Sequence, residues 1–218
     1  MLRKPSVSQN FSDARQTMVD SQLRTVGVID GAVLSAMASV AREIFVPGGL
    51  RGLAYADAAI EVAPGRWLLE PMVLALLLER AAIHAGDKVL VVGAATGYSA
   101  AVVARMGAVV IALESDAGLA AQARAAGVVC AENPLALGWP AAAPYDVILF
   151  EGAIETLPAA IADQLAPAGR IAAVVRKGGI GHAHCGPPST KNIVAGLAFH
   201  EVAAKPLPGF TAARAFAF

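Results

Sequence analysis

Lys88-Val89-Leu90-Val91-Val92-Gly93-Ala94-Ala95-Thr96-Gly97-Tyr98 decides the fold. An apolar run leads into a turn carrying two glycines. A helix-prone segment from Ser99 to Met106 follows, and a second apolar run, Ala108 to Leu113, ends on the carboxylate Glu114. Strand, glycine turn, helix, strand and terminal acid form the layout of a nucleotide-type cofactor site at the tip of a parallel sheet. There the glycines let the backbone approach a ligand and the acid receives ribose hydroxyls.

Outward from that stretch, the same rhythm continues. Strands are expected at 88–93, 108–113, 128–131, 145–150 and 170–176, and helices at 97–106, 116–126 and 156–166. Near-continuous apolar strands joined by short connections imply a parallel sheet buried on both faces. Upstream, Ser12-Asp13 is placed to cap a helix towards Leu23, and Asp30 one through Val40. Residues 50–66 read as irregular around Pro64-Gly65, and Pro71 opens a helix to about His84. The last forty residues suggest an antiparallel pair, 192–202 and 211–218. The expected fold is therefore α/β, a doubly wound, mostly parallel, Rossmann-like sheet with a helical N-terminal extension. Its divisions are 1–86 (extension and substrate loop), 87–176 (cofactor-binding core) and 177–218 (C-terminal antiparallel strands), all within a single domain.

Composition narrows the function. The chain has 218 residues, 56% hydrophobic and 16% charged, with zero formal net charge. That length suits one core. Clustered Lys and Arg are missing, which argues against nucleic acid as a partner. No apolar run approaches the ~18–20 residues needed to span a bilayer. The N-terminus carries no apolar leader, so a cytoplasmic location is expected and no membrane partner. With so little charge over so apolar a chain, a homodimer is expected. Cys130 and Cys185 imply no disulfide framework. His182-Ala183-His184-Cys185 has soft ligands but no fourth at usual spacing, and its surrounding glycines and prolines suggest a hairpin tip, so no metal site is assigned.

The glycine spacing does not fit a dinucleotide fingerprint, since position 95 is Ala and position 98 is Tyr. It is similar instead to the G-x-G-x-G loop of S-adenosylmethionine (SAM) methyltransferases, with Ala95 in the middle glycine's place. Longer stretches are more specific. Met18 to Arg24, Arg42-Glu43-Ile44-Phe45-Val46-Pro47, Leu53 to Asp57, Gly138-Trp139-Pro140, Tyr145 to Ile148 and Gln164 to Arg170 together resemble the protein-L-isoaspartate O-methyltransferases over roughly residues 14–176.

The resemblance implies a SAM-dependent O-methyltransferase acting in protein repair, with SAM as cofactor. Its partner would be a protein or peptide carrying an isoaspartyl-like carboxylate. It assigns cofactor binding to Gly93, Ala95, Gly97, Glu114 and Asn133, the last within Glu132-Asn133-Pro134 where the family has Gly-Asp-Gly. It also places the family's substrate loop at Arg66-Trp67-Leu68-Leu69-Glu70. There the family's hydroxyl residues fall at Trp67 and Leu69, so no catalytic residue is assigned. Val91 stands where the family has an acid. Because a carboxylate is already ionised at neutral pH, methyl transfer to it needs alignment and exclusion of water rather than a general base. The apolar triplet 67–69 reads as a hydrophobic plug, with a remodelled apolar substrate pocket as the alternative, and Arg66 as a solvated surface arginine, with a contact to an acidic substrate as its alternative. A non-catalytic SAM- or S-adenosylhomocysteine (SAH)-binding homologue is the alternative. A nicotinamide oxidoreductase is a further one, compatible with Glu114 but not with the glycine spacing.

Overall fold

The computed structural model describes residues 10–189, 194, 196 and 198–212. Among the described residues, seven strands form the main sheet, in the order β5 (Cys130–Glu132), β4 (Val109–Glu114), β3 (Lys88–Val92), β6 (Tyr145–Ile154), β7 (Leu165–Lys177), β8 (Ile180–Gly186) and β9 (His200–Glu201). Its parallel part comprises β3, β4, β5, β6 and β7. The order reverses between β3 and β6, which opens a crevice at the carboxyl ends of the strands, where this architecture binds ligands.

β3 shows why the apolar run becomes a central strand. Its side chains alternate between two cores: Val89 and Val91 belong to the cluster containing the N-terminal helices, Leu90 and Val92 to the cluster on the opposite face. With both faces dry, a strand has no room for polar alternation. Flanking helices are α3 (Pro71–Ala81), α4 (Tyr98–Arg105), α5 (Ala117–Ala125) and α6 (Ala159–Ala162), preceded by α1 (Phe11–Met18) and α2 (Gly31–Ser39). As expected, the Asp30 side chain caps α2, accepting from Ala32 N and Val33 N. Pro71 occupies the first turn of α3.

Several expectations are corrected. α1 is capped by Asn10 rather than by Ser12-Asp13, and it passes through a π turn at Val19–Leu23 into a 3₁₀ turn at Arg24–Val26. α3 stops at Ala81, because Ala82 turns left-handed (φ 46°). The irregular 50–66 segment contains most of a hairpin, β1 (Ile60–Ala63) and β2 (Arg66–Leu68), turning at Pro64-Gly65. The 156–166 helix contracts to α6, because Pro158 delays its start and Leu165 is drawn into pairing with Tyr145. The His182–Cys185 stretch is not a hairpin tip. It lies within β8 (Ile180–Gly186), antiparallel to β7 across a turn at Gly178-Gly179.

Of the expected 192–202 strand, residues 192, 193, 195 and 197 lie outside the described residues. Within the remainder, His200–Glu201 pairs with β8 as β9, and Val194 bridges to Pro188. Residues 213–218 of the expected last strand also lie outside the described residues. Among the described residues, no helix is long and apolar enough to cross a membrane.

Candidate functional site

The turn after β3 is built tightly. Gly93 N and Ala94 N both donate to Leu113 O, at 2.9 and 3.0 Å, tying the turn to the end of β4. Gly93 and Gly97 have φ of 73° and 96°, and Ala95 also takes the left-handed region at φ 51°. That conformation costs a residue with a Cβ about 1–2 kcal/mol, so the turn carries strain at Ala95. Gly97 serves packing: a Cβ there would meet Ala123 Cβ at 3.0 Å and Val128 Cγ2 at 3.1 Å. It caps α4 without a side-chain bond.

Glu114 lies where the sequence put it, at the end of β4 facing the turn, and is fully buried. Its carboxylate accepts from Ala95 N at 2.8 Å, Ser115 N at 2.7 Å and Asp116 N at 3.0 Å. Arg66 completes the set, and this corrects its reading as a surface residue. Its Nη1 reaches Glu114 Oε1 at 2.5 Å and its Nη2 reaches Oε2 at 2.6 Å. The same Nη2 donates to Gly93 O at 3.0 Å. Forty-eight residues separate the partners. The guanidinium fork suits a carboxylate bidentately, and the backbone donors supply the further bonds a buried pair needs.

Leu207 covers the rest of the turn. A Cβ on Gly93 would stand 2.5 Å from Leu207 Cδ1 and 3.2 Å from Arg66 Nη2. In this arrangement the residues that would hold SAM are engaged by protein groups: Arg66 takes acceptor positions of the Glu114 carboxylate, and Leu207 covers the glycine face. Asn133, the remaining expected cofactor residue, donates through Nδ2 to Gly138 O at 2.9 Å and through its backbone to Glu114 O at 3.2 Å.

The substrate-loop positions are apolar and pulled inward. Leu68 and Leu69 are buried, as the plug reading expects, and Trp67 is half-buried with Lys205 Nζ 5.0 Å from its ring centre. The backbone of Leu69 is held from both sides: its N–H donates to Glu151 Oε1 at 2.9 Å, and its carbonyl accepts from Arg42 Nη2 at 2.7 Å. Sequence reading missed both partners. Glu151 sits in β6, accepts from Ser99 Oγ, and has its carboxyl pushed up chiefly by burial. Arg42 is fully buried and lies 4.5 Å from the Tyr98 ring centre. The signal for Glu151 was available, a single acid closing the run Ile148-Leu149-Phe150. For Arg42 no local signal exists.

The N-terminal extension closes the site from outside. Thr96 Oγ1 donates to Phe45 O at 2.7 Å. The Tyr55 hydroxyl accepts from Arg15 Nε at 2.7 Å and from Arg42 N at 3.1 Å, and it donates to Glu43. Burial, then the Glu43 hydrogen bond, pushes the Tyr55 hydroxyl up to about 12. Among the described residues, no group of three or more His, Cys, Asp or Glu is arranged to hold a metal ion.

Residues 14–182 match the family described as protein-L-isoaspartate(D-aspartate) O-methyltransferase. A protein-L-isoaspartate O-methyltransferase of Methylorubrum extorquens is 45% identical over 166 residues, 73% of each chain. A second, from Methylorubrum populi, is 42% identical over 72% of this chain and 77% of its own. A solved protein-L-isoaspartate O-methyltransferase structure from Plasmodium falciparum, in complex with SAH, superposes with a TM-score of 0.73. It covers 88% of this chain and 97% of its own at 18% identity, a likeness of fold.

Proposed function

Because the chain belongs to the protein-L-isoaspartate O-methyltransferase family, we propose that it is a SAM-dependent O-methyltransferase. Its substrate would be an isoaspartyl-like carboxylate on damaged protein. The observation that carries the reading is Glu114, an acid at the end of β4 that faces the Gly93–Gly97 turn and is held there by backbone amides, the position from which an acid receives a ribose diol in this architecture. Gly93, Ala95, Gly97, Glu114 and Asn133 form the proposed cofactor surround. A single methyltransferase-like domain, a cytoplasmic setting and a homodimer belong to the same proposal, the last tested by light scattering at micromolar protein.

The triplet Trp67-Leu68-Leu69 sets the expected rate. No hydroxyl at 67 or 69 is available to orient a peptide carboxylate, and the Leu69 amide is already committed to Glu151. One missing orienting hydrogen bond of ~1–3 kcal/mol slows turnover about ten- to a hundred-fold. Cations nearby are Lys205 and Arg176, which with Glu70 line a cavity of about 350 Å³ beside the loop. They supply the charge an acidic substrate would meet.

Transfer of a labelled methyl group from SAM to an isoaspartyl peptide, with the aspartyl peptide as control, tests the reading. Slow incorporation confined to the isoaspartyl peptide is expected. Equal labelling of both peptides would refute the substrate assignment. A second reading, a SAH-binding homologue without turnover, is favoured by the altered loop, and binding without incorporation would establish it.

A further inference from the structure

Arg66 and Leu207 come from segments outside the strands that build the cofactor turn. Arg66 opens β2, part of a two-stranded hairpin separate from the main sheet. Leu207 lies in the strap 203–210, which runs along the end of β6. Ala153 N donates to Lys205 O and Leu207 N to Ala153 O, both at 2.8 Å, and Glu155 N donates to Phe210 O at 2.9 Å. Phe210 packs edge-on against Phe150 with ring centres 5.2 Å apart. Pro206, Pro208 and Gly209 keep the strap from extending the sheet, so it is secured by a few bonds rather than by a ladder.

What these segments place in the cleft has a chemical likeness to the ribose of SAM. A ribose presents two adjacent hydroxyls that donate to the two oxygens of a carboxylate. The Arg66 fork presents two N–H groups to the same two oxygens, at 2.5 and 2.6 Å. An ionised carboxylate offers about four lone-pair positions. The two guanidinium nitrogens and the three backbone amides of Ala95, Ser115 and Asp116 exhaust them. Leu207 is 3% exposed and lies against the α-carbon of Gly93, the face on which a ligand would have to lie. It also lies against Gly152, where a Cβ would meet Leu207 Cβ at 3.1 Å.

Resting on the methyltransferase reading, we propose that Arg66 and the 203–210 strap are an internal occupant of the cofactor cleft. Arg66 mimics the ribose diol, and both segments withdraw before SAM enters. Withdrawal of Arg66 leaves the pairing of β3 with β4 and β6 intact, and withdrawal of the strap costs β6 only its Ala153 bonds and the Phe150–Phe210 contact. When the guanidinium leaves, Glu114 keeps its three backbone donors and exchanges one bidentate partner for another. Affinity for the cofactor is then the intrinsic affinity reduced by the fraction of molecules that are open.

Calorimetric titration with SAH of the full chain, of Arg66→Ala, of Leu207→Ala and of the double variant tests this, with thermal unfolding as the check on folding. Arg66→Ala should bind SAH roughly tenfold or more tighter than the wild type, and the double variant tighter still. Hydrogen exchange on the wild type gives an independent reading: saturating SAH should deprotect the Ala153 and Leu207 amides and leave Val91 protected. Equal affinities with unchanged exchange would overturn the occlusion and leave the methyltransferase reading standing. Weaker binding by Arg66→Ala would also overturn it, since Arg66 would then be a ligand contact. A folded double variant that binds no SAH would overturn the occlusion and the methyltransferase reading together.

Discussion

Glu114 and Glu151 lie towards the carboxyl ends of the strands on either side of β3, 0% and 2% exposed, and the molecule treats them differently. Glu114 has a guanidinium and three backbone amides. Glu151 has the Ser99 hydroxyl and the Leu69 amide, with no cation bonded to it among the described residues, and its carboxyl is pushed up chiefly by burial. A dry strand end keeps an acid either by pairing its charge or by favouring its proton. The paired acid is able to change partners. The other, its carboxyl pushed up by burial, fixes a loop, since it holds the backbone of Leu69.

The sharpest way to break this contrast is Glu114→Ala. It strands the Arg66 guanidinium and three amide donors in the interior, so urea unfolding should show a loss of about 3–5 kcal/mol. A loss below about 1 kcal/mol would mean that Arg66 swings freely to water. Next in size is Ser99→Ala, which removes one of the two groups bonded to Glu151 and should cost about 1–2 kcal/mol. In a Glu151→Ala background that cost should largely vanish.

Glu151→Gln is expected to raise stability at pH 8, on the order of 1 kcal/mol, because an amide keeps the acceptor for Leu69 and carries no charge to bury. The pH profile supplies the sign. Between the ordinary carboxylate value and the raised one, the folded state holds a proton that the unfolded state has released, so wild-type stability falls as pH rises through that window. The glutamine variant should lack this fall, and an identical slope in both proteins would remove Glu151 from the comparison. The smallest effect belongs to Ala95→Gly. Relief of the left-handed strain is offset by a lost buried methyl and by a more flexible unfolded chain, so stability should stay within about 0.5 kcal/mol. Its amide remains available to Glu114 throughout.

The parallel sheet was legible because burial on both faces demands unbroken apolar runs, and Lys88–Val92 and Val109–Glu114 supply them. β8 was not, because Gly181, His182, Ala183 and His184 have little intrinsic preference for strand, and pairing with β7 imposes the conformation. Within the site, the glycine turn and Glu114 could be read locally. The partner of Glu114 could not, because β2 reaches it only through the hairpin's placement in space. Glu151 carried the same local signal as Glu114, a lone acid after an apolar run, but its partner Leu69 lies 82 residues earlier in the chain.

Being part of the same chain, Arg66 and Leu207 face the cleft at an effective concentration set by the length and stiffness of their connections, on the order of millimolar for short flexible tethers. Unlike a dissociable competitor, such an occupant is not removed by dilution, dialysis or gel filtration. The penalty on cofactor affinity is therefore constant from dilute to concentrated solution, and it changes only when something outside the cleft pulls on the hairpin or the strap.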